Sequence, residues 1–288
     1  MVLKIVIMLA AILLGPFLGG FLAGLDRRLT ARLQSRIGPP LLQPFFDIAK
    51  LMRKETAVVN HAQSFFVMIH LIFMVFTVGL FFFGSDLLLT IFALTLSSIF
   101  LVLAAYATNS PYSNLGADRE LLLMLADEPI LLLITVGFYM RAGSFAVGDL
   151  IRPDLPAILT MPGLFLGYLL VLTIKLRKSP FDLSTSHHAH QELVKGLTTE
   201  FAGRTLAIVE IAHWYESLLL YGLVGLFFAG RSPWSLLIIP LALIVVFVLE
   251  ILADNAFARI KWQAALRTTW LTAASLVFIN LLILSFFK

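Results

Sequence analysis

The chain has 288 residues, of which 60% are hydrophobic and 13% charged, and a formal net charge of +4 with a sequence pI near 9.4. That apolar share is above the roughly half found in soluble domains, so the composition marks an integral membrane protein and makes the positive charge a matter of topology rather than of nucleic-acid binding. There is no cysteine, which excludes disulfides and excludes thiolate ligation of an iron–sulfur cluster or a nickel–iron centre by this chain.

Apolar stretches of about 20 residues mark candidate membrane spans. Eight are expected in chain order: Leu3 to Leu25, Ala62 to Phe83, Leu87 to Thr108, Leu121 to Met140, Ala157 to Ile174, Thr205 to Phe228, Trp234 to Leu252 and Ala265 to Phe287. The first has Lys4 ahead of it like a signal peptide, but it is too long for an h-region and lacks an Ala-x-Ala exit, so it is read as a retained helix. Within it Gly15/Gly19 and Gly20/Gly24 repeat a spacing that lets another helix approach closely. Between the first two spans, Gly38-Pro39-Pro40 forces a turn, and Gln43 to Glu55 has amphipathic helical spacing suited to the membrane surface. The expected fold is an all-α polytopic bundle of eight transmembrane helices with one amphipathic surface helix, a single membrane domain over 1–288 with elaborated loops at about 26–61 and 175–204.

All but five of the 21 Lys and Arg fall in the first, third, fifth and seventh loops. The positive-inside rule places those loops in the cytoplasm and both termini outside.

Charged side chains inside a bilayer cost about 2.5 to 3.5 kcal/mol each on insertion scales, so those within the spans mark candidate function. Asp127 and Glu128 lie about 10 Å along the fourth span from Glu120, and Glu216 lies about 18 Å beyond Arg204, at 1.5 Å per residue. Glu210, His213 and Glu216 recur every third residue, about 60° apart around a helix. Glu128, Asp127, Glu210, His213 and Glu216 are therefore the expected proton relay. The competing reading pairs each acid with a base such as Lys175 or Arg204 and makes it structural. Glu250 and Asp254 could join the path or sit at an exposed helix end. Lys175, Arg177 and Lys178 are expected to snorkel or to meet a partner, and His70 to be a hydrogen-bonded core histidine. His187, His188 and His190 could in principle hold zinc, but adjacent rings rarely converge and no fourth ligand suggests itself. They are read instead as titratable groups facing a docked partner.

The loops carry two longer motifs. Gln34-x-Arg36-x-Gly38-Pro39, then Leu42-Gln43-Pro44, then Asp47-x-x-Lys50-Leu51 resembles the signature of the membrane subunit at the junction of the hydrophilic and membrane arms of respiratory complex I, shared with membrane-bound hydrogenases. Pro180-Phe181-Asp182-Leu183, Glu192-Leu193-Val194-x-Gly196 and Thr199-Glu200-Phe201-Ala202-Gly203 resemble that family's second signature, and Gly116 to Glu120, with Glu128 beyond it, a weaker third. Two departures, the direct step from Gly38-Pro39 to Leu42-Gln43 and the histidines that replace glutamates before Glu192, look like the B-type membrane component of the Ech-type energy-converting [NiFe]-hydrogenase.

The resemblance implies that this chain binds no cofactor. The [NiFe] centre and [4Fe-4S] clusters would lie on partners: a [NiFe]-hydrogenase large subunit, an iron–sulfur small subunit, a ferredoxin-like subunit and an antiporter-like membrane subunit, in the inner membrane of a prokaryote. Arg36, Asp47, Asp182, His188, His190, Glu192 and Glu200 would stand at or near the docking surface. The chain would couple ferredoxin-dependent hydrogen evolution to proton or sodium translocation. Rival readings are the quinone-site membrane subunit of an NADH-quinone oxidoreductase, a stand-alone cation/proton antiporter, and a passive anchor.

Overall fold

The computed structural model describes residues 1–55, 60–184 and 195–286. In chain order they form α1 (Val2–Leu33), α2 (Gln43–Arg53), α3 (His61–Phe83), α4 (Leu87–Tyr106), α5 (Pro111–Ala142), the single turns α6 (Val147–Leu150) and α7 (Ala157–Thr160), α8 (Pro162–Lys175), α9 (Gly203–Phe228), α10 (Ser235–Ala256) and α11 (Trp262–Thr268). A π-helical turn, Thr269–Ala274, then joins α11 to α12 (Ser275–Phe286). The all-α polytopic architecture is as expected.

Seven helices among the described residues are long and apolar enough to cross a membrane, the last counted as Trp262–Phe286. The eighth expected span, fifth in order, is shorter. It divides at Met161, where the backbone leaves helical geometry ahead of Pro162, because proline lacks an N–H and disfavours helical dihedrals in the residue before it. Beyond this break α8 is 14 residues long, or about 21 Å of helix.

Local chemistry sets the other boundaries. The Asn60 side chain accepts from the Ala62 N–H at 3.0 Å to start α3, and Gly84, at φ 79°, ends it. Asp86 accepts from the Leu89 N–H at 3.1 Å to start α4. Pro111 opens α5 ten residues ahead of the apolar window at Leu121. Helix thus continues through the polar run Tyr112 to Glu120.

The bundle closes around α9, which packs against α1, α2, α3 and α10. In their most apolar stretches α9 is 67% buried, whereas α1 and α10 are 17% and 22% buried and show their outer faces to the surroundings. The buried residues of α1 include Gly15, Gly19, Gly20 and Gly24. A Cβ on Gly19 would stand 2.5 Å from the Trp214 carbonyl oxygen of α9, and one on Gly24 would overlap the Leu41 carbonyl. The glycine stripe is the seam along which α1 lies against α9 and the approach to α2. The Tyr215 hydroxyl donates to the Ile12 carbonyl at 2.7 Å across the same seam.

The polar connections gather at one end of the bundle. There Arg27 pairs with Asp47 at 2.7 Å, Gln34 donates to Asn255 at 2.8 Å, and the Ser179 N–H donates to Asp254 at 2.8 Å. The Ser113 hydroxyl donates to the Leu197 carbonyl at 3.1 Å at this end too. The opposite end is closed by short turns, with the Val147 N–H on the Ser85 carbonyl and the Arg231 N–H on the Pro153 carbonyl. Both termini lie toward that second end, Lys4 near the Phe83 ring and Asn280 accepting from the Leu164 N–H.

Candidate functional site: buried acids gathered by one basic turn

The chain leaves α8 at Lys175 and turns sharply through Arg177, whose φ is +52°. It then runs inward under α10 and α11, held by the Ser179 contact to Asp254 and by the Ile260 N–H on the Pro180 carbonyl. This turn carries three bases into the bundle. Lys175, Arg177 and Lys178 have side chains only 6–9% exposed, so they neither snorkel nor reach outward, in contrast to the sequence expectation.

Each base meets acid. The Lys175 ammonium is 3.1 Å from Asp127 and 3.8 Å from Glu128 of α5. Arg177 bridges two helices, donating to Glu120 of α5 at 2.7 Å and to Glu216 of α9 at 3.3 Å. Lys178 pairs with Asp26 of α1 at 2.9 Å. Close by, Thr173 donates to the buried carboxylate of Glu250 at 3.2 Å. Buried charges persist only when paired and hydrogen-bonded, and here one turn supplies the counterions for carboxylates from three helices.

His213 stands between two of these partners. Its Nδ1 stands 3.2 Å from an Arg177 guanidinium nitrogen and 3.1 Å from the Glu216 carboxylate. A single ring nitrogen serves one of these at a time: protonated, it donates to Glu216; bare, it accepts from Arg177. Glu210, one helical step before His213, stands apart from this group. Its side chain is 34% exposed and its nearest base is Lys195 at 3.9 Å.

A cavity of about 550 Å³ adjoins these groups. Its lining includes the polar Glu210, His213, Glu216, Arg177 and Lys175 and the apolar or aromatic Leu22, Trp214, Tyr221 and Phe247. At the polar end of the bundle it is bordered by the partly exposed Arg27 and Lys195.

Of the expected relay, Asp127 and Glu128 therefore share Lys175, His213 and Glu216 are in hydrogen-bond contact, and Glu210 shares only the cavity wall. Glu120, Asp26, Lys175 and Arg177 were not among the expected relay residues. The two bases were signalled by a Lys-x-Arg-Lys cluster directly after an apolar span, but its inward direction is set by the turn at Arg177.

The expected docking residues divide. Arg36 is exposed and hydrogen-bonded to Gln34, and Asp47 is held by Arg27 and by Gln43 at 2.9 Å. Asp182 is only 2% exposed, with Arg259 at 3.9 Å, because the 177–184 segment folds beneath the start of α11. Glu200 is half-buried, and its carbonyl accepts from Gln63 at 3.4 Å. His187, His188, His190 and Glu192 lie outside the described residues. Among the described residues no group of three or more His, Asp or Glu is arranged to hold a metal ion, and His70 is indeed a buried histidine on the Ser97 carbonyl at 2.8 Å.

Hydrogenase-4 component C of Escherichia coli (strain K12) is 29% identical over 267 residues, with 82% of each chain covered. The second H-type chain of the NADH-quinone oxidoreductase of Syntrophobacter fumaroxidans (strain DSM 10017 / MPOB) is 28% identical over 273 residues, covering 84% of this chain and 81% of the relative. A chain in the solved structure of the membrane-bound sulfane sulfur reductase, an archaeal respiratory membrane complex, superposes with a TM-score of 0.85 at 23% identity over 98% of this chain and 99% of that one, which establishes the shared fold. Residues 3–285 match the family described as NADH dehydrogenase. The resemblance read from Gln34 to Leu51 and from Pro180 to Gly203 thus extends over nearly the whole chain, and the protein belongs to the NADH dehydrogenase family.

Proposed function

We propose that this chain is the membrane subunit of an energy-converting [NiFe]-hydrogenase, anchoring a hydrophilic redox module on its polar end and coupling ferredoxin-dependent hydrogen evolution to proton or sodium translocation. The observation that carries this reading is the convergence of Glu120, His213 and Glu216 on Arg177 beside a cavity at the end where the loops gather. A partner that docks there and perturbs the 175–184 turn would change the pairing of Arg177 and Lys175. The acids they leave would take up protons, and those they join would release them, because an unpaired carboxylate in low dielectric is driven to protonate.

In this reading the polar end faces the cytoplasm and both termini face outward, by the excess of Lys and Arg in its loops. The [NiFe] centre and [4Fe-4S] clusters belong to the large subunit, the small subunit and the ferredoxin-like subunit, and an antiporter-like membrane subunit continues the ion path. The similarity to hydrogenase-4 component C and the two loop departures favour a hydrogenase. The test is to isolate the intact complex and assay it: hydrogen evolved from reduced ferredoxin, unaffected by quinone, supports the assignment, and a complex without nickel overturns it.

A second reading, a quinone-site subunit, is favoured by one observation: the apolar and aromatic side chains Leu22, Trp214, Tyr221 and Phe247 in the cavity lining would suit a flat headgroup. Quinone copurifying in stoichiometric amount, with turnover that depends on it, would select that reading.

A further inference from the structure

His70 is 1% exposed in the middle of α3, and no part of the relay described above uses it. Its hydrogen bonds fix its chemistry. The Ser97 carbonyl of α4 lies 2.8 Å from His70 Nδ1 and can only accept, so Nδ1–H is the donor there, while the Ser97 hydroxyl, 2.9 Å from Nδ1 and 2.8 Å from the His70 carbonyl, donates to that carbonyl. The neutral ring then carries its only proton on Nδ1 and presents a bare acceptor at Nε2. That nitrogen is fully buried and has no hydrogen-bond partner among the described residues. Buried polar atoms without a partner are rare, and most mark a water or a function.

The neighbour that explains it is His213. The two rings stand edge to face with centroids 6.4 Å apart, too far for a direct N···N hydrogen bond of about 2.9 Å but within the reach of one water making two bonds of that length. His213 commits its Nδ1 to Glu216 or Arg177, which leaves its Nε2 for such a water.

We infer that a single buried water bridges His213 to His70 Nε2 and makes His70 a buried side station of the relay, which takes a proton from His213 and gives it back through the same water. The inference rests on the relay reading of His213 and Glu216. The step balances: His213, as imidazolium with its Nδ1–H on Glu216, gives its Nε2 proton to the water, the water gives one of its own to His70 Nε2, and His70 becomes imidazolium while its Nδ1–H stays on Ser97 and His213 is left neutral. Return of the proton through the same water restores the neutral His70 ring.

His70→Asn is the informative variant in the intact complex, since its amide nitrogen can replace Nδ1 on the Ser97 carbonyl while nothing replaces Nε2. We expect the His70→Asn complex to assemble and to lose at least about tenfold in ions moved per hydrogen formed. Parent-like coupling in His70→Asn beside failed coupling in Glu216→Gln overturns this inference and leaves the relay standing. Parent-like coupling in both variants overturns the relay and the inference together. Should His70→Asn fail to assemble, a map of the parent complex that resolves other buried waters decides: density between the two rings supports the bridge, and its absence there overturns it.

Discussion

Arg177 and Glu216, 39 residues apart in the chain, meet at 3.3 Å inside the bundle, and the same guanidinium holds Glu120 at 2.7 Å. A base from the turn after α8 is thus the cross-link between α5 and α9. Two carboxylates depend on it, and neither is exposed enough to be solvated if it leaves.

Arg177→Gln should therefore destabilise the protein strongly. Removing one member of a buried ionic group leaves uncompensated charge and costs about 3–5 kcal/mol. The expected result is a marked fall in the thermal unfolding midpoint of the purified complex, partly restored when Glu120→Gln is added, since one stranded charge is then removed. Equal loss in the single and double variants would show that Arg177 matters through packing alone.

The glycine seam gives a second, purely steric expectation. Gly24→Ala places a Cβ against the Leu41 backbone carbonyl, which cannot swing aside as a side chain would. It should cost roughly 1–3 kcal/mol and lower the yield of assembled complex, whereas alanine at Gly225 of α9, where the nearest atom to a new Cβ is 3.6 Å away, should be tolerated. Expression and thermal stability of the pair check this directly.

Because the chain has no cysteine, single cysteines report contacts cleanly. Arg36→Cys, exposed at the polar end, is expected to cross-link to the iron–sulfur small subunit, and Leu159→Cys, exposed at the opposite end, to none of the hydrophilic subunits. Cross-links from Leu159→Cys alone would put the redox module on the opposite face from the one proposed. The same absence of thiolates predicts that the isolated chain holds neither iron nor nickel in stoichiometric amount, which elemental analysis measures.

The spans, the polar end and the family were legible in the sequence because they rest on local signals: hydropathy, loop charge and contiguous motifs. The grouping of the buried acids was legible only in part. Glu210, His213 and Glu216 share a helix, so periodicity placed them together, yet what separates Glu210 from the other two is the path of Lys195 and the cavity, which no periodicity encodes. Glu120 was passed over because the apolar window begins at Leu121, although Pro111 starts the helix earlier. The inward course of Lys175, Arg177 and Lys178 comes from a turn at Arg177 and from tertiary bonds to Asp254 and Ile260. Those bonds join residues 75 or more positions apart, beyond the reach of pattern reading.

If protons moving among these acids couple the redox partner to ion transport, the ions moved per hydrogen formed by complexes in sealed vesicles report it most directly. Glu128→Gln and Glu216→Gln each keep shape and hydrogen-bonding capacity but remove the titrating proton. Both variants should assemble, still form hydrogen from reduced ferredoxin when the membrane is made leaky, and build little or no gradient when it is sealed. If both assemble and move as many ions per hydrogen as the parent, the acids are structural and the relay is wrong.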